Sequence, residues 1–428
     1  MLRLRAAVLF ICLAAGSALA EENLILSVHP DREDHLYGLG DTVAFLVTGA
    51  AEGRCEDCVP VSYRITEDGA RLLAEGSFKL EDGGAQLEGT LDKPGFLRCD
   101  LTWIDGPDTV KAVCACGFSV ESIRPTGIMP HDFSRFWREA AAELVRIPID
   151  PRLEQVEDED LPEGARRYRV SLATVKSGRV HGWLSFPPGQ GPFPTVLVVP
   201  GAGVGKTWRG TSYIKAGLAV LSINVHGIEP DREDKYYQHL KSEQVGLGWE
   251  YLWFGLEDPY HYYFRRVIQD CIRALDYLHT RQDVDTTGLG MYGSSQGGYL
   301  SLMVASIDKR VKALVANVPG LCDHTGMLYG RASGGPQLLD GNLNERAVRT
   351  LSYYDAALAA GLIEVPAMIG VGFIDAVCPP TSVYAAYNNL KGEKAIENFL
   401  TIGHGAPKDW GKLTRAWLLE RLNGRGAK

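Results

Sequence analysis

The sequence predicts an all-β region followed by a larger α/β region with a mainly parallel sheet. Between residues 23 and 122, short alternating apolar runs are separated by turn clusters, as in antiparallel β structure. From residue 168 onward, apolar runs typical of buried strands alternate with helical patterns. With 428 residues, 45% of them apolar, the chain is long enough to form two cores.

The overall charge excludes one broad class of function. The chain has 44 Lys and Arg against 53 Asp and Glu, a net charge of −9 at pH 7. Proteins that hold nucleic acid through its phosphates need an excess of positive charge, so we expect no nucleic-acid partner.

Residues 1–20 are predicted to be a cleavable signal peptide. Arg3 and Arg5 precede a short apolar stretch at residues 6–15, and Ala18-Leu19-Ala20 forms a small-x-small cleavage site. The apolar stretch is too short to span a bilayer, so we predict no membrane association. We expect cleavage after Ala20 and a periplasmic or secreted protein.

Residues 21–124 are predicted to form an Ig-like β-sandwich domain. About seven strands fit into this segment, among them Val43–Val47, Val61–Ile65 and Leu97–Trp103. No catalytic constellation is evident there. Two interpretations remain open: a structural spacer, or a module that binds carbohydrate or another surface.

Five cysteines fall in this predicted domain: Cys55, Cys58, Cys99, Cys114 and Cys116. In an oxidising compartment they favour one or two disulfides, whose pairing the spacing does not assign. The alternative is a zinc site made of the Cys55-x-x-Cys58 and Cys114-x-Cys116 pairs. Elsewhere no cluster has the spacing of metal ligands, and we predict neither a metal nor a cofactor.

Residues 125–428 are predicted to form the α/β catalytic domain. After a Pro-bearing linker, a helix is expected to start at Phe133 with Asp132 as its N-cap. The further predicted elements are strands at Thr195–Val199, Ala219–Ile223, Leu289–Tyr292 and Ala367–Val371, and a helix at Val267–His279.

The motif Gly293-Ser294-Ser295-Gln296-Gly297-Gly298 lies between an apolar strand and a helical run. In this context G-x-S-x-G predicts the nucleophile turn of an α/β-hydrolase fold, with Ser295 as the nucleophile. The backbone amide of Gln296 then faces the developing oxyanion.

A nucleophilic serine needs a histidine base and an orienting carboxylate, which in this fold follow it in the order acid, then histidine. His404, in a small-residue loop after a strand-like run, and Asp375, directly after a late strand, fit this order. The weaker candidates are His324, Asp323, Asp340 and Asp355. The second oxyanion donor should come from the loop after an earlier strand, where the amide of Ala202 or a neighbour fits.

An aromatic-rich stretch has two equally good explanations, a sugar-binding pocket and a lid or subunit interface. Its members are Trp249, Tyr251, Trp253, Phe254, Tyr260, Tyr262 and Tyr263.

From about residue 130 to its end the chain resembles the acetyl xylan esterase / cephalosporin C deacetylase family, carbohydrate esterase family 7. The resemblance implies Ser295, Asp375 and His404 as the triad and Ala202 as the second oxyanion donor, where the family usually has a tyrosine. The matching segments are Asp132-Phe133 with Phe136-Trp137, Tyr262–Val267, Gly293–Gly298, Val318–Asp323, Tyr353–Ala356 and Gly372–Pro380.

The chain departs from the family pattern at two positions. His226-Gly227-Ile228 stands where the family typically has Arg-Gly-Gln, and Gly405 stands where a Glu follows the catalytic histidine. Losing both charged residues together leaves no lone buried charge, so the chemistry is expected to survive with a rebuilt pocket wall. The usual members of the family have a single domain, so the predicted sandwich is an addition to the family pattern. Their hexameric assembly need not carry over, and a homo-oligomer stays an open expectation.

The sequence therefore predicts an exported serine esterase that removes short acyl groups, above all acetyl, from a carbohydrate such as acetylated xylan. Two alternatives remain. The first is an exported α/β-hydrolase peptidase, and the second is a catalytically lapsed surface module that binds glycan.

Overall fold

The computed structural model describes residues 24–51, 60–242, 247–341 and 343–423. The predicted signal peptide lies outside these residues. The strands are β1 (Leu24–Pro30), β2 (Leu36–Tyr37), β3 (Val43–Ala51), β4 (Val61–Glu67), β5 (Arg71–Phe78), β6 (Gly84–Gly89), β7 (Gly95–Asp105), β8 (Asp108–Phe118), β9 (Arg152–Val156), β10 (Arg166–Ala173), β11 (Arg179–Phe186), β12 (Phe193–Val199), β13 (Ala219–Asn224), β14 (Val284–Ser294), β15 (Ala313–Asn317), β16 (Ala367–Gly372) and β17 (Lys394–Phe399). The α-helices are α1 (Phe133–Val145), α2 (Thr211–Lys215), α3 (Asp234–Leu240), α4 (Tyr263–His279), α5 (Gln296–Ile307), α6 (Glu345–Ser352), α7 (Ala356–Ala359), α8 (Pro380–Asn389) and α9 (Trp410–Asn423).

The N-terminal region is all-β, as predicted. One sheet has the strand order β1-β3-β6 and the other β2-β8-β7-β4-β5. The two sheets share one apolar core, to which β3 contributes Phe45, β7 contributes Trp103 and β8 contributes Phe118. The Ig-like assignment and the boundaries at residues 21–124 and 125–428 stay predictions.

The cysteines of this region differ from the sequence prediction. Cys99, Cys114 and Cys116 are buried free thiols, and the described residues contain no disulfide. The predicted bridges are therefore wrong for these three, since each packs in the sandwich core as a small apolar side chain. Cys55 and Cys58 lie outside the described residues, and so does the zinc site that needs them.

The large sheet has the strand order β17-β16-β15-β14-β12-β13-β11-β10-β9. Neighbours from β17 to β13 run parallel, whereas β11, β10 and β9 join antiparallel, so the predicted mainly parallel sheet is confirmed. Alternate residues of each strand face opposite sides. In β15, Leu314 and Ala316 belong to one helix-covered core, and Ala313 and Val315 to the other.

Helix α1 begins at Phe133 as predicted, but Asp132 makes no capping bond from its side chain. Its carboxylate instead accepts hydrogen bonds from Tyr353 Oη at 2.7 Å and from the Arg135 guanidinium at 2.8 Å. These two bonds hold the pKa of Asp132 below its usual value. Asp132 thus ties the start of α1 to the chain before α7.

No helix of the described residues is both long and apolar enough to cross a membrane.

Candidate active site

Ser295 lies on a strained turn between β14 and α5. Its backbone has φ 58° and ψ −120°, a strained combination that few residues other than glycine adopt. Such strained residues are found often at active sites. The turn is possible because its flanking glycines pack backbone against backbone. A Cβ on Gly293 would lie 2.2 Å from Gly297, and one on Gly297 would lie 2.5 Å from the Val199 carbonyl oxygen. The predicted strand, turn and helix are all present.

The structure brings Ser295, His404 and Asp375 into one line of hydrogen bonds. His404 Nε2 lies 2.9 Å from Ser295 Oγ, and His404 Nδ1 lies 2.8 Å from Asp375 Oδ2. A carboxylate only accepts, so the imidazole proton is on Nδ1 and Nε2 is free to accept from the serine hydroxyl. The buried carboxylate also accepts the amides of Val377 and Cys378, at 2.8 and 2.9 Å through Oδ1.

The acid and the histidine meet because their strands are neighbours. β16 and β17 pair in parallel, so the loops after Gly372 and Phe399 leave the sheet at the same edge. These loops are close enough that a Cβ on Gly372 would lie 2.3 Å from the Gly403 carbonyl oxygen. The first loop carries Asp375 and the second carries His404.

The weaker candidates for acid and base have other contacts. His324 is 2% exposed, and burial lowers its pKa to about 4. Asp355 caps α7 through the amides of Ala357 and Leu358, and Asp323 accepts the amide and hydroxyl of Thr126. Asp340 is exposed.

The loop of residues 200–205, here named the oxyanion loop for its predicted role, runs beside the Ser295 turn and carries Ala202. Three hydrogen bonds join it to the start of α5. Tyr251 Oη donates to Gln296 Oε1 at 2.7 Å and accepts the Gly203 amide at 3.3 Å. Gln296 Nε2 donates to the Gly201 carbonyl at 3.4 Å. One residue, Gln296, therefore presents a backbone amide at the N-terminus of α5 and braces the loop of residues 200–205 with its side chain.

His226 contacts the same loop through the Gly203 carbonyl. Its ring lies 3.2 Å from the Gly203 carbonyl through Nε2 and 2.8 Å from Tyr263 Oη through Nδ1. Because the carbonyl only accepts, Nε2 carries the proton and Nδ1 accepts from the tyrosine. Burial, with a smaller effect of nearby Arg266, lowers the pKa of His226 to about 4, so the ring is neutral at pH 7.

A cleft of about 660 Å³ opens beside the oxyanion loop, and Trp208 and Trp249 line it. These two side chains are about half exposed, at 48% and 49%. Within the aromatic stretch, Tyr251 and Tyr262 are fully buried. Within the stretch, Tyr251 therefore braces the oxyanion loop from the interior, whereas Trp249 lines the open cleft.

Two groups of side chains in the described ranges lie close enough to hold a metal ion. One is His35, Cys114 and Cys116 in the N-terminal core, with ligand atoms within 4.8 Å of one another. The other is Asp375 and His404 with Cys378. In that second group the facing carboxylate and imidazole atoms already bond each other, which favours a hydrogen-bonded triad over a metal centre.

The profile of the acetyl xylan esterase family matches residues 119–419, well over half of the chain. The chain belongs to the acetyl xylan esterase family. The acetyl esterase Axe7A of Xylanibacter ruminicola is 34% identical over 92% of this chain and 91% of its own. Since that alignment extends beyond the profile match, it includes part of the N-terminal region.

Two solved structures of acetyl xylan esterases are also similar to this chain. The acetyl xylan esterase of Paenibacillus sp. R4 covers 71% of this chain and 98% of its own, with 28% identity and a TM-score of 0.61. Acetyl xylan esterase 1 of Thermoanaerobacterium sp. JW/SL YS485 covers 70% and 97%, with 25% identity and a TM-score of 0.60. The predicted family and α/β-hydrolase fold are confirmed, and the protein is a carboxylic-ester hydrolase.

Sequence reasoning missed three residues that brace the site. Tyr251 was only one aromatic among seven, and His226 stood out only as a departure from the family's Arg-Gly-Gln pattern. Arg98, in the N-terminal region, donates to the Ile374 carbonyl at 2.9 Å, next to Asp375. Nothing in the sequence around Arg98 indicates this contact, because the two residues are 276 positions apart.

Proposed function

We propose that this member of the acetyl xylan esterase family is an exported serine esterase that removes acetyl groups from a carbohydrate such as acetylated xylan. The observation that carries the chemistry is the unbroken line of hydrogen bonds from Ser295 through His404 to Asp375. The names of its relatives support acetyl esters as the substrate class. Residues 1–20, with the features of a signal peptide, support export.

Acylation begins at Ser295 Oγ, which attacks the ester carbonyl while His404 Nε2 takes its proton. Asp375 stabilises the imidazolium through Nδ1. The carbonyl oxygen becomes an oxyanion, for which the amides of Gln296 and Ala202 are the proposed donors. The tetrahedral intermediate collapses when the C–O bond of the sugar ester breaks and His404 returns its proton to the leaving sugar hydroxyl.

Deacylation repeats these steps with water. His404 removes a proton from the water molecule as its oxygen attacks the acetyl-Ser295 carbonyl. The second intermediate releases acetate and restores the serine hydroxyl. The scheme uses the side chains and amides of this chain alone and calls on no cofactor.

The cleft beside the oxyanion loop supports a carbohydrate as the alcohol part of the ester. The exposed rings of Trp208 and Trp249 offer flat apolar faces at its wall. A sugar ring has apolar C–H faces that pack on such rings, with its hydroxyls left to water or to polar side chains. Lys206 and Lys241 line the same cleft and supply hydrogen-bond donors.

The test is acetate release from 4-nitrophenyl acetate and from acetylated xylan, by the wild type and by Ser295→Ala. We expect the wild type to cleave both, and the variant to lose about three orders of magnitude or more in kcat, as other triads do. Ser306→Ala is the matched control. Its buried hydroxyl lies in α5, the helix that follows Ser295, and donates to the Met303 carbonyl at 2.7 Å, so activity should persist.

Each result bears on a separate part of the proposal. Activity retained by Ser295→Ala would remove Ser295 as nucleophile. Cleavage of the small ester alone would leave the chemistry and refute acetylated xylan as substrate. Hydrolysis of aminoacyl arylamides would favour a peptidase. An inactive wild type that also fails to react with a fluorophosphonate would favour a lapsed glycan-binding module.

A further inference from the structure

The loop of residues 373–379, which carries Asp375 and is here named the acid loop, is in direct contact with the N-terminal region. Phe373, two residues before the acid, is 1% exposed, and its ring meets the ring of Phe96 in β7 edge to face with centroids 5.0 Å apart. Phe96 belongs to the core of the large sheet rather than to that of the sandwich. The strand β7 therefore lies at the contact between the two regions.

Arg98 follows Phe96 on the same face of β7 and reaches the same loop. Its Nη1 donates to the Ile374 carbonyl at 2.9 Å, directly before Asp375. Its Nε and Nη2 bond both carboxylate oxygens of Asp100 at 2.9 to 3.0 Å. The Arg98 side chain is only 16% exposed, and its planar guanidinium is fixed by this two-point contact. Nη1 is thus directed at one backbone carbonyl.

Fixing the Ile374 carbonyl constrains the orientation of the Asp375 carboxylate. Asp375 Oδ1 accepts the amides of Val377 and Cys378, while Arg98 holds the peptide unit before the acid through the Ile374 carbonyl. Oδ2 is then presented to His404 Nδ1 at 2.8 Å. The positive charge of Arg98 is balanced by Asp100, so the contact acts on geometry more than on the local potential.

A second contact joins the regions close by. Asp68, in the turn after β4, accepts the hydroxyl of Thr381 at 2.7 Å, and Thr381 lies in the first turn of α8, which follows the acid loop. The acid loop is therefore flanked by contacts from the N-terminal region on both sides, through Arg98 before Asp375 and through Asp68 after it.

We propose that the N-terminal sandwich is part of the catalytic apparatus, and that Arg98 is a positioning residue that orients Asp375 through the Ile374 carbonyl. The inference rests on the proposed triad and gives the sandwich a role other than that of a spacer or a glycan-binding module. Loosening the loop weakens the bond between Asp375 and His404. The imidazolium that forms during attack is then less stabilised.

The experiment compares Arg98→Met, Arg98→Lys and Arg32→Met with the wild type on 4-nitrophenyl acetate. Methionine keeps most of the apolar stem and removes every donor, whereas lysine keeps one cationic donor. Arg32 is the matched control. It also bonds one carboxylate, that of Asp41 at 2.8 Å, and one carbonyl, that of Leu36 at 3.2 Å, and both lie within the sandwich.

For Arg98→Met we expect kcat to fall about 10-fold with KM within about twofold, because the acid orients the base and does not bind substrate. Arg98→Lys should recover a large part of kcat. Arg32→Met should change neither kcat nor KM.

A wild-type kcat for Arg98→Met would overturn the inference, and so would an equal loss in Arg32→Met. If Arg98→Met does not fold, Asp100→Ala releases the guanidinium without altering the buried core, and it should lower kcat by less, with KM again nearly unchanged. No change in Asp100→Ala would then count against the inference. Ser295→Ala runs alongside, because its retained activity would refute the triad itself rather than the role of Arg98.

Discussion

Two loops flank Ser295, and they are held in place in different ways. The oxyanion loop is braced by uncharged side chains of the α/β region, namely Tyr251, Gln296 and neutral His226. The acid loop is braced by its own backbone amides and by a charged residue of the N-terminal region, Arg98. The first arrangement belongs to the α/β fold, whereas the second depends on the region that precedes it.

Burial explains the choice of side chains. Tyr251 and His226 are 0% and 6% exposed, and an ion there would lose its hydration without a partner. Arg98 lies nearer to solvent and keeps Asp100 as a counterion, so a charge is tolerated. The departure from the family's Arg-Gly-Gln fits this pattern. His226 keeps a donor for the Gly203 carbonyl and carries no charge at neutral pH.

The largest expected effect concerns Asp375, the residue of the acid loop that contacts His404. Asp375→Asn should lower kcat by about 10³ to 10⁴, because an amide can donate to Nδ1 and thereby favours the wrong tautomer of His404. KM for 4-nitrophenyl acetate should change little. The measurement is steady-state kinetics between pH 6 and 9.

Asp355→Asn is the matched control for that variant. Asp355 is also a buried carboxylate, and asparagine keeps one oxygen that can cap α7, although it loses the acceptor of the His324 amide and should cost some stability. We expect its kcat within about twofold of the wild type. If Asp355→Asn lost as much activity as Asp375→Asn, the assignment of the acid would be wrong.

The oxyanion loop should show a smaller effect when its brace is cut. Tyr251→Phe removes the donor to Gln296 Oε1 and the acceptor of the Gly203 amide. We expect kcat to fall about 10-fold, less than the loss of an oxyanion donor itself, because the Ala202 amide is displaced and not deleted. Pre-steady-state acylation with 4-nitrophenyl acetate measures this directly.

Tyr262→Phe provides the comparison for Tyr251→Phe. Tyr262 is equally buried in the same aromatic group, but its hydroxyl donates to the Leu252 carbonyl, outside the oxyanion loop. It should lose stability and keep its acylation rate. Equal acylation rates in the two variants would show that the Tyr251 hydroxyl has no part in holding the loop.

The sequence predicted what depends on local pattern. The parallel strands β12, β13, β14 and β16 were predicted from apolar runs, and the Ser295 turn from glycines at fixed spacing. The order of strands then placed Asp375 and His404 at one edge. Contacts such as that of Arg98 with Ile374 could not be predicted, because they depend on how two separately patterned regions pack. The expected disulfides were wrong for Cys99, Cys114 and Cys116 for a similar reason, since cysteine spacing does not show which thiols face an apolar core.

The smallest expected effect distinguishes the uncharged brace His226 from the charged brace Arg98 by the pH dependence of the free energy of unfolding. Burial lowers the pKa of His226 to about 4 from 6.5, so the unfolded chain binds its proton first as the pH falls. The associated stability is present above pH 6.5 and is lost progressively between pH 6.5 and 4, about 2 kcal/mol of it by pH 5. His324, whose pKa burial also lowers to about 4, contributes a similar amount.

The measurement is the free energy of unfolding in urea at pH 7.5 and 5.0. The drop in this free energy between the two pH values should be smaller in His226→Phe than in the wild type, by about half of the part that the two histidines cause. Arg98→Met should keep the full drop, because an arginine stays charged throughout this range. An unchanged drop in His226→Phe would mean that His226 is not buried as a neutral ring, and the contrast between an uncharged and a charged brace would fail at that residue.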